Sequence, residues 1–369
     1  MQDLSYIAPP VDRELIKKEL KQKHFLRMSN RGNKEIYVTT AHLSPNIMRE
    51  IGRLRELSFA AEGGGTGQEV DIDMYDTLPD PYCCKQLFVW SPEDEEIVGA
   101  YRFIHGTNMM RREDGSIVTP TADQYQFSEQ FVRDYLPYTV ELGRAFVQPA
   151  YQPGAGIRKG LYSLDNLWDG LGCLILEIPE TRYFFGKITM YGDLNPRARD
   201  LILFFYQKHF PDRDGLVWPY ETVSIKSDYN ELVHLFNGRN YKEDYQILLH
   251  SVRACGCTVP PLINAYMNLT PSMRSFGTCP NHHLAGTTDT GILITLADIF
   301  PDKRHRYLDS YQDRNSKFDR RRLFGINMRL LPWWKQTSED EQVAMKELRE
   351  LKKKTKKLKQ ELRQMKRRR

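Results

Sequence analysis

Thr139-Val140-Glu141-Leu142-Gly143-Arg144-Ala145-Phe146-Val147-Gln148 is rich in β-forming residues and is followed by Pro149. It reads as a strand. Alternation sends Glu141, Gly143 and Ala145 to one face, and Leu142, Arg144 and Phe146 to the other. A glycine in mid-strand marks a place where another backbone or a ligand comes close. A glutamate beside it can accept a proton from an amine if burial raises its affinity for protons. Taken alone, a strand glutamate is more often an ion-pair partner.

The neighbouring stretches fit around this strand. Upstream, Cys84 to Trp90 and Ile97 to His105 are strands joined by the turn Ser91-Pro92-Glu93-Asp94. Further back, Glu35 to Thr40 is a first strand. Ser44-Pro45 opens a helix whose apolar residues Ile47, Ile51, Leu54 and Leu57 recur at helical spacing. A short basic helix is expected from Glu14 to Leu26. Downstream come a helix from Leu164 to Ile178, a strand from Arg182 to Tyr191, and a helix from Pro196 to His209. Residues 211–265 read as mainly helical, and Ser272 to Thr278 with Thr290 to Leu296 as a final strand pair. This order belongs to an α/β fold.

The 369 residues suffice for one large or two ordinary domains. With 40% hydrophobic and 11% aromatic residues the chain can bury a core, so wholesale disorder is excluded. No run approaches the ~20 apolar residues of a spanning helix, and Met1 to Pro10 does not read as a secretory signal. Six irregularly spaced cysteines do not make a disulfide framework, so a reducing cytoplasm is expected. The net charge of +5 hides an asymmetry. Residues 346–369 hold 13 Lys or Arg and 3 Glu, leaving a net acidic body. Within this tail Leu348, Leu351, Thr355, Leu358, Leu362 and Met365 form a heptad stripe.

Several segments carry candidate chemistry. Asp71, Asp73 and Asp76 form an acidic run about 15 residues after Arg55 and Phe59. Arg102 places a charge inside an apolar strand and needs a carboxylate partner, because an unpaired buried charge is expensive. Gly63-Gly64-Gly65-Thr66-Gly67 lacks the lysine ending of a nucleotide loop and reads as a mobile loop over the acyl or amine site. Cys255, Cys257 and Cys279 lack zinc-ligand spacing, so no metal is expected.

Arg55-x-x-x-Phe59, Asp73-x-x-Asp76, Gly99-x-Tyr101-Arg102 and Glu141-Leu142-Gly143-Arg144 follow one another in an order that resembles one family. These are the GNAT-superfamily N-acyltransferases that take acyl chains from acyl carrier protein. The chain resembles the glycine-lipid and ornithine-lipid N-acyltransferases and, more distantly, acyl-homoserine-lactone synthases. Pro260-Pro261-Leu262-Ile263-x-x-Tyr266 and Asp289 resemble the lipid-forming branch, and the likeness covers about residues 12–310.

The resemblance implies a mixed, mainly antiparallel sheet flanked by helices. It carries a helical insertion at about 211–265 and a C-terminal basic helix. Together with the charge and heptad pattern of the tail, which lies outside the resemblance, this divides the chain into an N-terminal helical arm (1–35), the acyltransferase domain (36–310), a linker holding Trp333 and Trp334 (311–336), and the basic helix (337–369). The resemblance implies transfer of a (3-hydroxy)acyl chain from the phosphopantetheine thioester of acyl carrier protein to the α-amine of glycine or ornithine. No other cofactor is implied. Glu141, Arg144 and Arg102 would be catalytic or orienting. Asp73, Asp76 and Gly143 would shape the substrate site, with Arg55 and Phe59 at its entrance. Gln152-Pro153-Gly154-Ala155-Gly156 departs from the superfamily's pyrophosphate loop by a shifted glycine register. It fits a single phosphodiester at a helix N-terminus better than coenzyme A.

Two other readings stay open beside this one. An acyl-homoserine-lactone-type synthase shares the motifs, but those chains are shorter. A non-catalytic GNAT-like protein could use the basic tail to dock on a membrane or nucleic acid. Nucleic acid is disfavoured by the acidic body, which lacks a basic-aromatic stripe. The tail itself points to an anionic membrane surface or to a homodimer.

Overall fold

In the computed structural model, residues 3–152, 160–284 and 286–309 are described. The chain opens with α1 (Arg13–Glu19), whose N-terminus is capped by Asp12 accepting the Glu14 N–H at 2.7 Å. The helix expected to reach Leu26 ends seven residues early. Instead β1 (Phe25–Met28) pairs antiparallel with β2 (Glu35–Thr39), and the Phe25 ring packs on Tyr37 at 5.5 Å. Burying Leu26 and packing Phe25 edge-on against Tyr37 outweighs continuing a short helix, which is marginal by itself. Residues 1–35 therefore contribute a strand to the main sheet.

Helix α2 (Pro45–Ala61) begins with proline at its first position, as the sequence indicates. Ser44 precedes it, but its hydroxyl bonds to Thr39 at 2.7 Å instead of capping the helix. The buried Ile47, Ile51 and Leu54 pack with Ala100 and Phe146 of the sheet. A one-turn helix, α3 (Met74–Thr77), follows, then the hairpin of β3 (Lys85–Ser91) and β4 (Glu96–His105). Every residue of β3 is buried, as in a strand covered on both faces.

Residues 106–138 hold three short strands, β5 (Met110–Arg111), β6 (Ile117–Val118) and β7 (Tyr125–Phe127). Then come β8 (Thr139–Val147), α4 (Ser163–Glu177), β9 (Tyr183–Met190) and α5 (Pro196–His209). The helical region is built from α6 (Tyr229–Leu235), α7 (Tyr241–Ala254) and α8 (Pro261–Met267), preceded by β10 (Val217–Pro219), which pairs with β7. Strands β11 (Arg274–Asn281) and β12 (Thr287–Thr295) complete the sheet, and α9 (Pro301–Arg304) follows.

The main sheet runs β1-β2-β3-β4-β8-β9-β12-β11. All its pairs are antiparallel except β8 with β9. That is the mixed, mainly antiparallel α/β architecture expected. The exception positions the site. β8 pairs with β9 only from Thr139↔Tyr183 to Leu142↔Gly186. Beyond that vertex β9 pairs with β12 and β8 with β4, so the two strands part. Gly186 permits the close approach at the vertex: a Cβ there would lie 2.5 Å from the Leu142 carbonyl oxygen.

Past the vertex β8 carries a bulge, because Arg102 opposes Gly143 while Ala100 opposes Phe146. Arg144 takes φ +49° at this bulge. The linker and basic helix expected over 311–369 lie outside the described residues.

Candidate active site

A one-turn helix needs strong local capping, and α3 has it. Asp73 accepts the Tyr75 N–H at 3.0 Å, while Asp76 accepts the Asp73 N–H at 3.3 Å. The same carboxylates receive three arginines from three other elements. Arg55 of α2, wholly buried, donates to Asp76 at 2.9 Å, to the Asp71 carbonyl at 3.1 Å and to Gln86 at 2.6 Å. Arg102 of β4 reaches both oxygens of Asp73 at 2.6 Å and Asp76 at 3.3 Å. Arg144 of β8 lies 2.9 Å from Asp71 and 3.6 Å from Asp73.

The charges are desolvated, so their environments set their protonation. Burial alone would raise Asp76, but the Arg55 and Arg102 guanidiniums outweigh it and hold it well below the usual carboxylate range. Asp71 goes the other way, because burial outweighs its arginine neighbours and pushes its carboxyl up.

Glu141 is buried where β8 and β9 part. Thr121 donates its hydroxyl to Oε1 at 2.7 Å and its N–H at 3.1 Å, and the Thr119 hydroxyl bonds Oε2. Burial nevertheless dominates and raises the Glu141 carboxyl above its ordinary value. Strict alternation would put Arg144 on the face opposite Glu141. The bulge turns it back, so that Arg102 and Arg144 meet one carboxylate cluster, while Glu141, earlier on β8, is held by its two threonines. Gly143 sits between them, and a Cβ on it would meet no atom within 4 Å. Among the described residues no backbone crowds this glycine, which lies two residues along β8 from Glu141.

Other expected positions fall differently. Phe59 is buried in the core with Ile51 and Leu54, and Arg55 is fully enclosed, so neither stands at an entrance. The glycine loop is tied down: Glu56 accepts the Thr66 and Gly67 N–H groups, both at 2.9 Å, and the Thr66 hydroxyl at 2.6 Å. Its glycines allow close approach. A Cβ on Gly64 would lie 2.7 Å from Tyr191 and 2.8 Å from Thr287, and one on Gly65 2.5 Å from Glu56. The loop thus ties the end of α2 to the ends of β9 and β12. Gln152 donates to the Val147 carbonyl at 2.8 Å, while Gly154 and Gly156 lie outside the described residues.

Sequence reasoning missed Thr119, Thr121, Gln86 and Lys187. Thr119 and Thr121 stand 22 and 20 residues before Glu141 on a loop, where no periodicity links them to it. Lys187 was legible only as a polar residue within a strand. Its ammonium meets the Pro120 carbonyl at 3.2 Å, the Gln124 side chain and, at 3.5 Å, Asp289.

Residues 54–160 match the acetyltransferase (GNAT) domain. Glycine N(alpha)-acyltransferases of Bacteroides thetaiotaomicron and Phocaeicola vulgatus are each 49% identical over 305 residues. The alignments cover 83% of this chain, and 90% and 93% of those proteins. A solved CoA-dependent acyl-homoserine lactone synthase, with SAM and isopentyl-CoA, aligns over 75% of this chain and 87% of its own. At 12% identity and a TM-score of 0.29 that likeness is too remote to carry weight here.

Proposed function

The chain belongs to the family of the glycine N(alpha)-acyltransferases and is an acyltransferase, and from that premise we propose that it moves a (3-hydroxy)acyl chain from acyl carrier protein to glycine. The observation that carries this reading is Glu141, a buried carboxylate of raised proton affinity at the point where β8 and β9 separate. The donor's pantetheine arm enters that opening, where the unshared strand edges offer backbone N–H groups to it and to the thioester oxygen. The acceptor amine sheds one proton before it attacks. A C–N bond then forms, the C–S bond breaks, and the thiolate leaves. Glu141 receives a proton from the attacking nitrogen, directly or through water, and passes it to the departing sulfur, which is released as a thiol. The balance is one amide, one free thiol and one released proton.

Asp73, Asp76, Arg102 and Arg144 hold the face on which this happens. Gln152, Gly154 and Gly156 belong to the segment proposed to meet the donor phosphodiester. The product, an N-acyl amino acid, is a precursor of an aminolipid. It would be made in the cytoplasm at the inner membrane face.

The test uses purified protein with matched acyl chains on carrier protein and on coenzyme A, and with glycine and ornithine as acceptors. N-acylglycine with equimolar thiol release is the expected result. The carrier-protein thioester is expected to give the higher kcat/KM. Equal values for the two donors would overturn the carrier preference. No N-acyl product from folded protein, in the tube or in lipid extracts of a host lacking aminolipids, would overturn the function.

A further inference from the structure

Lys187 is the first residue of β9 beyond its last pair with β8. Glu141 pairs with Phe185, so Lys187, two residues on, projects from the same face as Glu141. Continuing the Leu142↔Gly186 register would bring Lys187 opposite Gly143, whose Cβ position is open. One loop serves both charged groups. Thr119 and Thr121 bond Glu141, while Pro120 and Gln124 bond Lys187.

The cluster's other cations are already committed. Arg55, Arg102 and Arg144 each lie within 2.6 to 2.9 Å of a carboxylate, with side chains 0%, 4% and 14% exposed. Lys187 is 18% exposed, and its carboxylate neighbour Asp289 stands back at 3.5 Å. Asp289 is meanwhile occupied by Thr189 at 2.7 Å and Asn281 at 2.9 Å. Among the described residues Lys187 makes two hydrogen bonds and one longer ion pair to Asp289, which leaves the ammonium a third N–H for an incoming anion.

An amino-acid acceptor brings a carboxylate two bonds from its amine. We infer that Lys187 binds the α-carboxylate of the acceptor and sets its amine beside Glu141, selecting free α-amino acids over amines without a carboxylate. This rests on the acyl transfer proposed above.

The experiment compares glycine with glycinamide, which keeps the amine and lacks the carboxylate, in wild type, Lys187→Met and Lys187→Arg. The quantity read is the ratio of kcat/KM for the two acceptors. Lys187→Met should lower the glycine-to-glycinamide ratio by about tenfold or more, mostly through the KM for glycine, as expected for a lost charge-assisted hydrogen bond. Lys187→Arg, which keeps a cation, should retain most of the ratio. Equal losses on both acceptors would assign Lys187 to holding the Pro120–Gln124 loop and overturn the inference while leaving acyl transfer intact. A wild-type enzyme inactive with both acceptors would overturn the acyl-transfer reading as well.

Discussion

Asp76 and Glu141 are buried carboxylates pushed in opposite directions. Two arginines pull Asp76 below its ordinary value despite burial, so it stabilises the fold above the usual carboxylate range. That contribution is lost as pH falls towards its depressed native value. Removing one partner of a buried ion pair costs about 3–5 kcal/mol, so Asp76→Asn should lower the unfolding free energy by that order and flatten its acid limb. Urea titrations at several pH values measure both. Glu141 is raised by burial, and as a base it works in the ionised form. The kcat/KM should therefore fall in acid along a limb displaced above ordinary glutamate. Glu141→Gln should remove that limb and cost about 10²–10⁴-fold in rate, the usual reach of general-base catalysis. Because ionising a raised carboxyl costs stability as pH rises, the variant should not lower the denaturant midpoint at neutral pH. Full activity in folded Glu141→Gln would end the base role.

At the scale of elements, the vertex between β8 and β9 depends on Gly186. Gly186→Ala would place a methyl 2.5 Å from the Leu142 carbonyl oxygen. The strands must move apart there, which should cost about 1–3 kcal/mol, as overpacking does, and reduce turnover with both donors. An unchanged denaturation midpoint would show that the vertex yields freely. Elements of this kind differ in how far the sequence discloses them. Helices α2, α4 and α5 were legible because one face of each repeats apolar residues over four or five turns. The hairpin β3–β4 was legible from its turn and its β-rich flanks. β1 was not, because four residues gain strand character only from a partner seven residues on. The short strands of 106–138 pair with each other or with β10, some 90 residues later. In the site, alternation misplaced Arg144 because a bulge adds a residue that no period reveals. The arginine–aspartate matching was foreseeable from the cost of burying an unpaired charge, whereas the threonines on Glu141 arrive through tertiary contact alone.

At the scale of the whole molecule, chemistry and charge are separated along the chain. The residues argued to act lie between Arg55 and Asp289, in a body that is net acidic, while 346–369 concentrates 13 cations against three glutamates. No helix among the described residues is long and apolar enough to cross a membrane. The N-acyl product of the proposed reaction would be hydrophobic, and we propose that the polybasic segment attaches the protein to lipid without spanning it. Each basic residue near an anionic surface contributes roughly 1 kcal/mol, and Trp333 and Trp334 are suited to the interface. The competing role is a homodimer through the heptad positions, which cover only about three heptads and include Thr355, marginal for a solitary coiled coil. Truncation after Gln336 removes the stripe and the basic run while sparing every residue placed in the site. It should preserve turnover on soluble substrates and reduce co-sedimentation with anionic vesicles, most clearly at low salt, where such attraction is least screened. Equal sedimentation of the truncated and full chains would exclude the tail as the anchor. A change from dimer to monomer in light scattering, with vesicle binding retained, would assign it to self-association instead.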